Sequence, residues 1–252
     1  MQQSSFLNRI PPVTLNLVII NALVWLAMIV LPGRTGFDIE RYGGLHYFLS
    51  SDFFAWQPIS YMFMHSTAGI SHLFFNMFGL MMFGATLERV FGSARFLFFY
   101  ITVGIGAALV QEGVYAVWIN HLSSGMTGAQ VSEIISEGAE ALRKGMNYMD
   151  PTLAEINMLA NVPTIGASGA IYGILLAFGM IFPNLPLYMF FIPIPIKAKW
   201  MVIAYGVLEL TMGVTGWQSG VAHFAHLGGM IVALVLIIYW RKKGTISNGP
   251  LY

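Results

Sequence analysis

Ser168 stands where an apolar helix has little use for a serine. It lies in Gly166-Ala167-Ser168-Gly169-Ala170-Ile171-Tyr172-Gly173, at the start of a hydrophobic stretch. A second stretch carries His226, in Ala222-His223-Phe224-Ala225-His226-Leu227-Gly228-Gly229, and a third carries His72 and Asn76. Polar side chains inside a bilayer are costly, so each is a functional hypothesis by default. A nucleophile, a base and two hydrogen-bond donors are the parts that acyl transfer needs. The plain alternatives are local. A membrane serine commonly bonds a carbonyl one turn back, and a histidine and asparagine at i and i+4 can simply tie helices together.

The composition says what must position these groups. The chain has 252 residues, 57% hydrophobic and only 9% charged, with mean hydropathy +0.70. A soluble domain carries roughly 25% charged residues. The expected architecture is a single all-α membrane domain over residues 1–252, with its core at 13–240. A net charge of +1 makes no case for nucleic acid. The absence of cysteine excludes disulfides, thiolate catalysis and Cys-ligated metals.

Six stretches are apolar enough to cross a hydrocarbon core, which takes about 20 residues of helix. They fall near 13–32, 58–86, 95–117, 164–182, 198–214 and 221–240. Only helix satisfies its own backbone across lipid in such segments. The first, Val13 to Leu31, reads as a retained anchor rather than a cleaved signal. No internal repeat is visible, which removes the usual sign of a transporter.

Positive charge sets orientation. With a cytoplasmic N-terminus, the inner segments hold Arg9, Arg89, Arg95, Lys197, Lys199, Arg241, Lys242 and Lys243, and the outer loops hold Arg34, Arg41, Arg143 and Lys144. Eight against four puts both termini in the cytoplasm. Spans two, four and six then all descend from outside. At about 1.5 Å per residue, Ser168, His226 and the His72/Asn76 pair fall in one shallow layer. Gly169, Gly173 and Ala177 recur every four residues on span four, and Gly229 and Ala233 do so on span six. Small residues at that spacing let helix backbones approach closely, which would bring the imidazole within reach of the hydroxyl.

These residues resemble the rhomboid family of intramembrane serine proteases. The match is glycine–x–serine–glycine at Gly166 to Gly169, with Tyr172 and Gly173 following, then histidine–x–x–glycine at His226 to Gly229. The histidine and asparagine of span two, His65 before them, and the pair Glu88 and Gly92 also fit. The resemblance implies a six-helix bundle in which Ser168 is the nucleophile and His226 the general base, without an acidic third member. It implies an oxyanion hole from His72, Asn76 and the Ser168 backbone N–H, with Tyr172 packed against the His226 ring. It also implies a water-filled cavity open to the outer side and a mobile fifth helix admitting substrate. Transmembrane proteins would be the substrates, cut near the outer face, and membrane lipids the surroundings. Nothing in the resemblance calls for a cofactor or metal, and a bacterial inner membrane is the expected location. Three departures stand out. The family often has tryptophan–arginine in its first loop; here Trp56-Gln57 leaves that loop's polar anchoring open. The second glycine of the last helix is Ala233. The connection near 118–163 is unusually long.

Within that connection, Asp150-Pro151 reads as an N-cap with proline at the first helical position. Upstream, Val131, Ile134, Ile135 and Leu142 form a weaker amphipathic stretch. Two short helices on the outer membrane surface are expected. The aromatic first loop reads as a hairpin half sunk in the outer interface, and Trp217 as part of a cap over the site.

Of the remaining polar groups, His65 reads as structural, His223 as solvated or capping, and Glu88 as an anchor for the loop after span two. Glu209 is the lone acid deep in span five. It reads as neutral or paired with a neighbouring helix, and a catalytic orienting role is not expected, because nothing in the sequence places it near His226. Span five has no motif tying its outer half to spans four or six, so substrate entry is expected beside it. Thinning Leu210 and Met212 is expected to ease that entry. A metalloprotein using His65, His72, His223 and His226 lacks a carboxylate at ligand spacing. A catalytically inactive relative that binds membrane helices is the remaining rival.

Overall fold

The computed structural model describes residues 10–189, 192–217 and 220–246. Arg9, used above for orientation, and Gln218 and Ser219 before the last span lie outside these residues.

The first helix, α1 (Pro12–Thr35), starts where proline is tolerated, at the first helical position. Its exposed row of Ile19, Ile20, Leu23, Leu26, Ile29 and Val30 suits a lipid-facing surface. Its first free N–H groups are satisfied from another element. Glu88 accepts from the Val13 and Thr14 backbone N–H groups at 3.0 and 2.7 Å, and from the Ser93 hydroxyl at 2.6 Å. One buried carboxylate thus ties together the same ends of three helices, and the anchoring role expected of Glu88 extends to α1.

Span two is not one helix. After α2 (Ile39–Gly43), α3 (Gln57–Ser60) passes into a 3₁₀ turn at Tyr61–Phe63, and the chain then leaves helical structure until α4 (Ser71–Gly79). A π-helical turn, Leu80–Gly84, joins α4 to α5 (Ala85–Phe91). The break falls over Met64–Ile70, where Ser66, Thr67 and Gly69 supply turn chemistry. The predicted continuous span over 58–86 is therefore corrected to a rod over 71–91 preceded by a short helical hook.

Next come α6 (Ser93–Leu122), α7 (Gly128–Arg143), α8 (Pro151–Asn161), α9 (Ser168–Ile181), α10 (Ala198–Thr215) and α11 (His223–Lys242). Among the described residues, α1, α6 and α11 are long and apolar enough to cross a membrane, and α9 is a shorter apolar helix. The protein is an integral membrane protein built as a helical bundle. Between α9 and α10 lies an antiparallel pair, β1 (Pro186–Met189) and β2 (Ile192–Lys197), which the helical reading did not foresee.

The bundle centre is α6, α9 and α11. A Cβ on Gly229 would stand 1.9 Å from the Gly169 carbonyl oxygen, and one on Gly173 would stand 2.3 Å from Val103 and 2.9 Å from the Gly229 carbonyl. Only hydrogen fits at these positions, so the small-residue spacing becomes a direct backbone approach of α9 to α11. Ala233, at the family's second glycine, is fully buried within this contact.

The long connection forms the two expected helices, with Asp150 accepting from the Thr152 and Leu153 N–H groups. They pack on each other and on the rest of the molecule. With Tyr47 of the first loop and Ile119 of α6, their Ile134, Ile135, Ile156 and Ala160 close a second small core. Asp52 pairs with Arg41 at 2.7 Å and with Arg143 of α7 at 2.9 Å, clamping the first loop to the long connection.

The first loop is also not a hairpin. It contains α2 and α3, and Leu45 forms a bridge with Thr164, just ahead of α9. Its polar anchor is Gln57, fully buried. The Gln57 amide oxygen accepts from His46 N–H at 3.1 Å, and its nitrogen donates to the Asp52 carbonyl at 2.8 Å. A neutral amide that both donates and accepts thus anchors this loop from within.

Candidate active site

Ser168 is the first residue of α9, and Gly166 turns the chain into it with φ +130°. That φ is open to glycine and strained for any side chain. A Cβ at Gly166 would also meet His72 Nε2 at 3.0 Å. Gly166 therefore serves two ends, a sharp entry to the helix and the approach of the His72 ring to the serine. Its own N–H donates to the Tyr61 carbonyl at 3.0 Å, which fixes the turn.

The close approach of α9 and α11 has the predicted consequence. Ser168 Oγ and His226 Nε2 are 2.8 Å apart. The Tyr172 ring stacks on the imidazole at 4.2 Å between centroids and 7° between planes. Such stacking removes the ring's freedom to swing away from the serine.

His72 and Asn76 line the same cavity as Ser168 and His226. The Ser66 N–H faces His72 Nδ1 at 3.3 Å. A backbone N–H can only donate, so Nδ1 is the accepting nitrogen and the ring proton sits on Nε2. That N–H lies on the side of Gly166 and Ser168, where an oxyanion would form. Asn76 uses one amide hydrogen on the His72 carbonyl at 2.8 Å; the amide has a second to offer. His65 is fully buried, its ring 5.0 Å from that of His72, in keeping with a packing role.

The cavity holds about 1140 Å³. Phe75, Phe78 and Met82 line it from the α4 side and Met201 and Tyr205 from α10. It therefore reaches from the serine into the seam between these two elements, and β1 contributes Leu187 and Tyr188.

Four expectations are corrected here. Glu209 is not remote from His226. Its Oε2 lies 2.9 Å from His226 Nδ1 and 2.6 Å from His223 Nδ1, and its Oε1 accepts from the Tyr172 hydroxyl. The approach to His226 is oblique, since Nδ1 has no well-aligned hydrogen bond. His223 is not solvated but 5% exposed, with Nε2 donating to the Trp217 carbonyl at 3.2 Å. Trp217 therefore contributes its backbone rather than a capping ring, which is 63% exposed. Finally, the C-terminal half of α10 is tied to α9 and α11 through this carboxylate, and Gly213 packs close against Phe224 and His223 of α11. Glu209, His223 and His226 also supply the carboxylate-containing set of ligand atoms, within 4.8 Å of one another, that the sequence lacked for a metal. The contacts of 2.6 and 2.9 Å are hydrogen-bond and ion-pair distances. Donor atoms around a tetrahedral zinc, with bonds of about 2.0–2.2 Å, stand farther apart.

Comparison with known proteins agrees with this architecture. The chain is 31% identical over 244 residues to the rhomboid protease AarA of Providencia stuartii, covering 90% of this chain and 72% of that one. It is 28% identical over 239 residues to the mitochondrial RHOMBOID-like protein 12 of Arabidopsis thaliana, covering 91% and 59%. It is 24% identical over 171 residues to the mitochondrial Rhomboid protein 1 of Saccharomyces cerevisiae, covering 68% and 38%. The chain thus spans between about two fifths and three quarters of these relatives' lengths. The Rhomboid domain model matches residues 53–243, from the first loop to the end of the last helix, and the chain belongs to the rhomboid family.

Proposed function

We propose that this chain is an intramembrane serine endopeptidase that cuts transmembrane proteins near their outer ends. The observation that carries the reading is the 2.8 Å contact between Ser168 Oγ and His226 Nε2, at the wall of a cavity that opens between α4 and α10. His226 Nε2 takes the hydroxyl proton as Oγ bonds to the substrate carbonyl carbon. The carbonyl π pair moves onto oxygen, and that oxyanion meets the His72 and Asn76 donors and the Ser168 N–H. His226 then gives its proton to the leaving amine as the C–N bond breaks. Water, activated by the same imidazole, releases the acyl group. A helical substrate must unwind to expose its carbonyl, so small or helix-breaking residues are expected beside the cut.

By the distribution of positive charge, Ser168 lies toward the outer face and both termini are cytoplasmic. The whole chain, with its core at 13–240, acts as one domain. A tag beside Arg143 should then be cleaved by protease added to intact cells. A tag after Lys243 should be cleaved only in inside-out vesicles; the reverse pattern would invert the orientation.

The decisive experiment is labelling by a fluorophosphonate together with cleavage of a transmembrane substrate. Ser168→Ala and His226→Ala should each abolish both while the protein remains folded, and the double variant should be little worse than either. Robust turnover by a single variant would reject the pair. An unlabelled wild-type chain that still binds transmembrane helices would favour the inactive relative.

A further inference from the structure

Of the eighteen residues of α10, four are buried: Ala198, Met201 and Val202 near its start, and Glu209 in its outer half. A buried carboxylate is unfavourable unless it is paired and hydrogen-bonded. Glu209 meets that requirement with three partners, and the choice of partners is informative. Oε1 accepts from Tyr172, whose ring is stacked on His226. Oε2 lies between the Nδ1 atoms of His223 and His226, at 2.6 and 2.9 Å. The carboxylate therefore touches the imidazole facing Ser168 and also the aromatic ring that restrains that imidazole.

We propose that Glu209 is a positioning residue for His226, so that the serine–histidine pair is completed by an acid carried on α10. The inference rests on the serine–histidine reading above. For Nε2 to accept the Ser168 proton, the neutral ring must carry its own proton on Nδ1. An anion beside Nδ1 favours that tautomer. When Nε2 gains the serine's proton, the imidazolium forms next to a fixed negative charge in a site of low dielectric, which stabilises it. The oblique approach in the substrate-free enzyme is no obstacle, because such contacts commonly align only once substrate is bound. His223 holds the carboxylate from the other side, with its own Nε2 fixed by the Trp217 carbonyl. The orientation of the base is thereby linked to the docking of α10.

The test uses the full chain in liposomes, with two readouts. A small fluorophosphonate reports the reactivity of Ser168 without passage of a substrate helix. A transmembrane substrate separates kcat from KM. Glu209→Gln preserves size and removes the charge. It should slow labelling by about tenfold or more and lower kcat by a similar factor, with KM within about twofold. This is less than the roughly 10⁴-fold loss seen when a well-aligned triad acid is neutralised. Glu209→Asp should recover part of the lost rate. Wild-type labelling and kcat in Glu209→Gln would overturn the proposal, as would a change confined to KM. If Glu209→Gln does not fold, Tyr172→Phe decides the matter. It keeps the ring stack and removes the hydroxyl that holds Oε1. Labelling slowed severalfold supports the proposal, and wild-type labelling overturns it. Ser168→Ala runs in the same series. Residual labelling or cleavage there would mean that the serine–histidine reading itself has failed, whatever Glu209 does.

Discussion

The helices that hold Ser168 and His226 are joined in a different way from the helix that faces them across the cavity. Between α9 and α11 the contact is backbone on backbone, with Gly229 against the Gly169 carbonyl and Gly173 against that of Gly229. The C-terminal half of α10 instead buries a single side chain, Glu209, while Val207, Leu208, Leu210 and Val214 are exposed. The first kind of joint has no soft degree of freedom. The second can be released by breaking a few polar contacts. A peptidase working inside a membrane needs both: a fixed distance between nucleophile and base, and a wall that can yield to an entering helix.

Glycine substitutions break that comparison most sharply. Gly229→Ala puts a methyl 1.9 Å from a backbone carbonyl, which no side-chain rotation relieves. Overpacking of this kind costs about 1–3 kcal/mol or more. Because α9 and α11 must part, the serine and histidine part too. Thermal unfolding should shift clearly downward and fluorophosphonate labelling should fall to background. On α10 the equivalent change, Gly206→Ala, meets only the mobile end of Met230 at 3.3 Å and should leave both measurements close to wild type. Equal sensitivity at the two glycines would mean that the two joints are not different in kind.

His72 and Asn76, the proposed oxyanion donors, stand on α4, outside both joints. His72→Ala or Asn76→Ala should lower kcat by more than tenfold with little change in KM, because these groups meet charge only in the transition state. A variant that loses affinity but keeps kcat would place that residue in ground-state binding.

A covalent tether tests the yielding side. The chain has no cysteine, so Phe78→Cys with Tyr205→Cys creates a unique pair across the cavity seam. Bridging it with a bifunctional maleimide should cut transmembrane cleavage about tenfold while a small fluorophosphonate still labels Ser168. Unchanged cleavage would move the entrance away from the α4–α10 seam.

The parts legible in the sequence were those whose meaning is local or periodic. The Gly169/Gly173 and Gly229/Ala233 spacing located the α9–α11 contact, and Asp150-Pro151 located the start of α8. The parts missed depend on how one helix is rotated against another. Glu209 sits in a helix with weak amphipathic bias, so nothing along the chain says which neighbour it faces. His223 is one helical turn before His226 and shares its face, a signal that could have placed it inward. The β1–β2 pair was hidden by Pro186, Pro193 and Pro195, which argue against a strand except at an edge; a two-stranded sheet is all edge. The break before α4 was signalled by Ser66, Thr67 and Gly69 but overridden by the apolar run around them.

The smallest expected effect comes from thinning the apolar C-terminal half of α10, where the contacts of Glu209 argue for little change instead of the rise expected from the sequence. With no visible tie to neighbouring helices, bulky contacts such as Leu210 and Met212 looked like what holds that half closed. Leu210 is 52% exposed, so it contributes little to docking and much to the outward face. The buried side chain of this half is tied through Tyr172, His223 and His226, beside the close packing of Gly213 on Phe224. Leu210→Ala removes surface that mostly faces outward, Met212→Ala trims a half-buried side chain, and neither substitution touches the Glu209 contacts. Transmembrane cleavage by this double variant should stay within about twofold of wild type, measured beside the tethered enzyme in the same liposomes. A rise well beyond twofold would show that apolar contact, rather than the Glu209 cluster, sets how readily α10 yields.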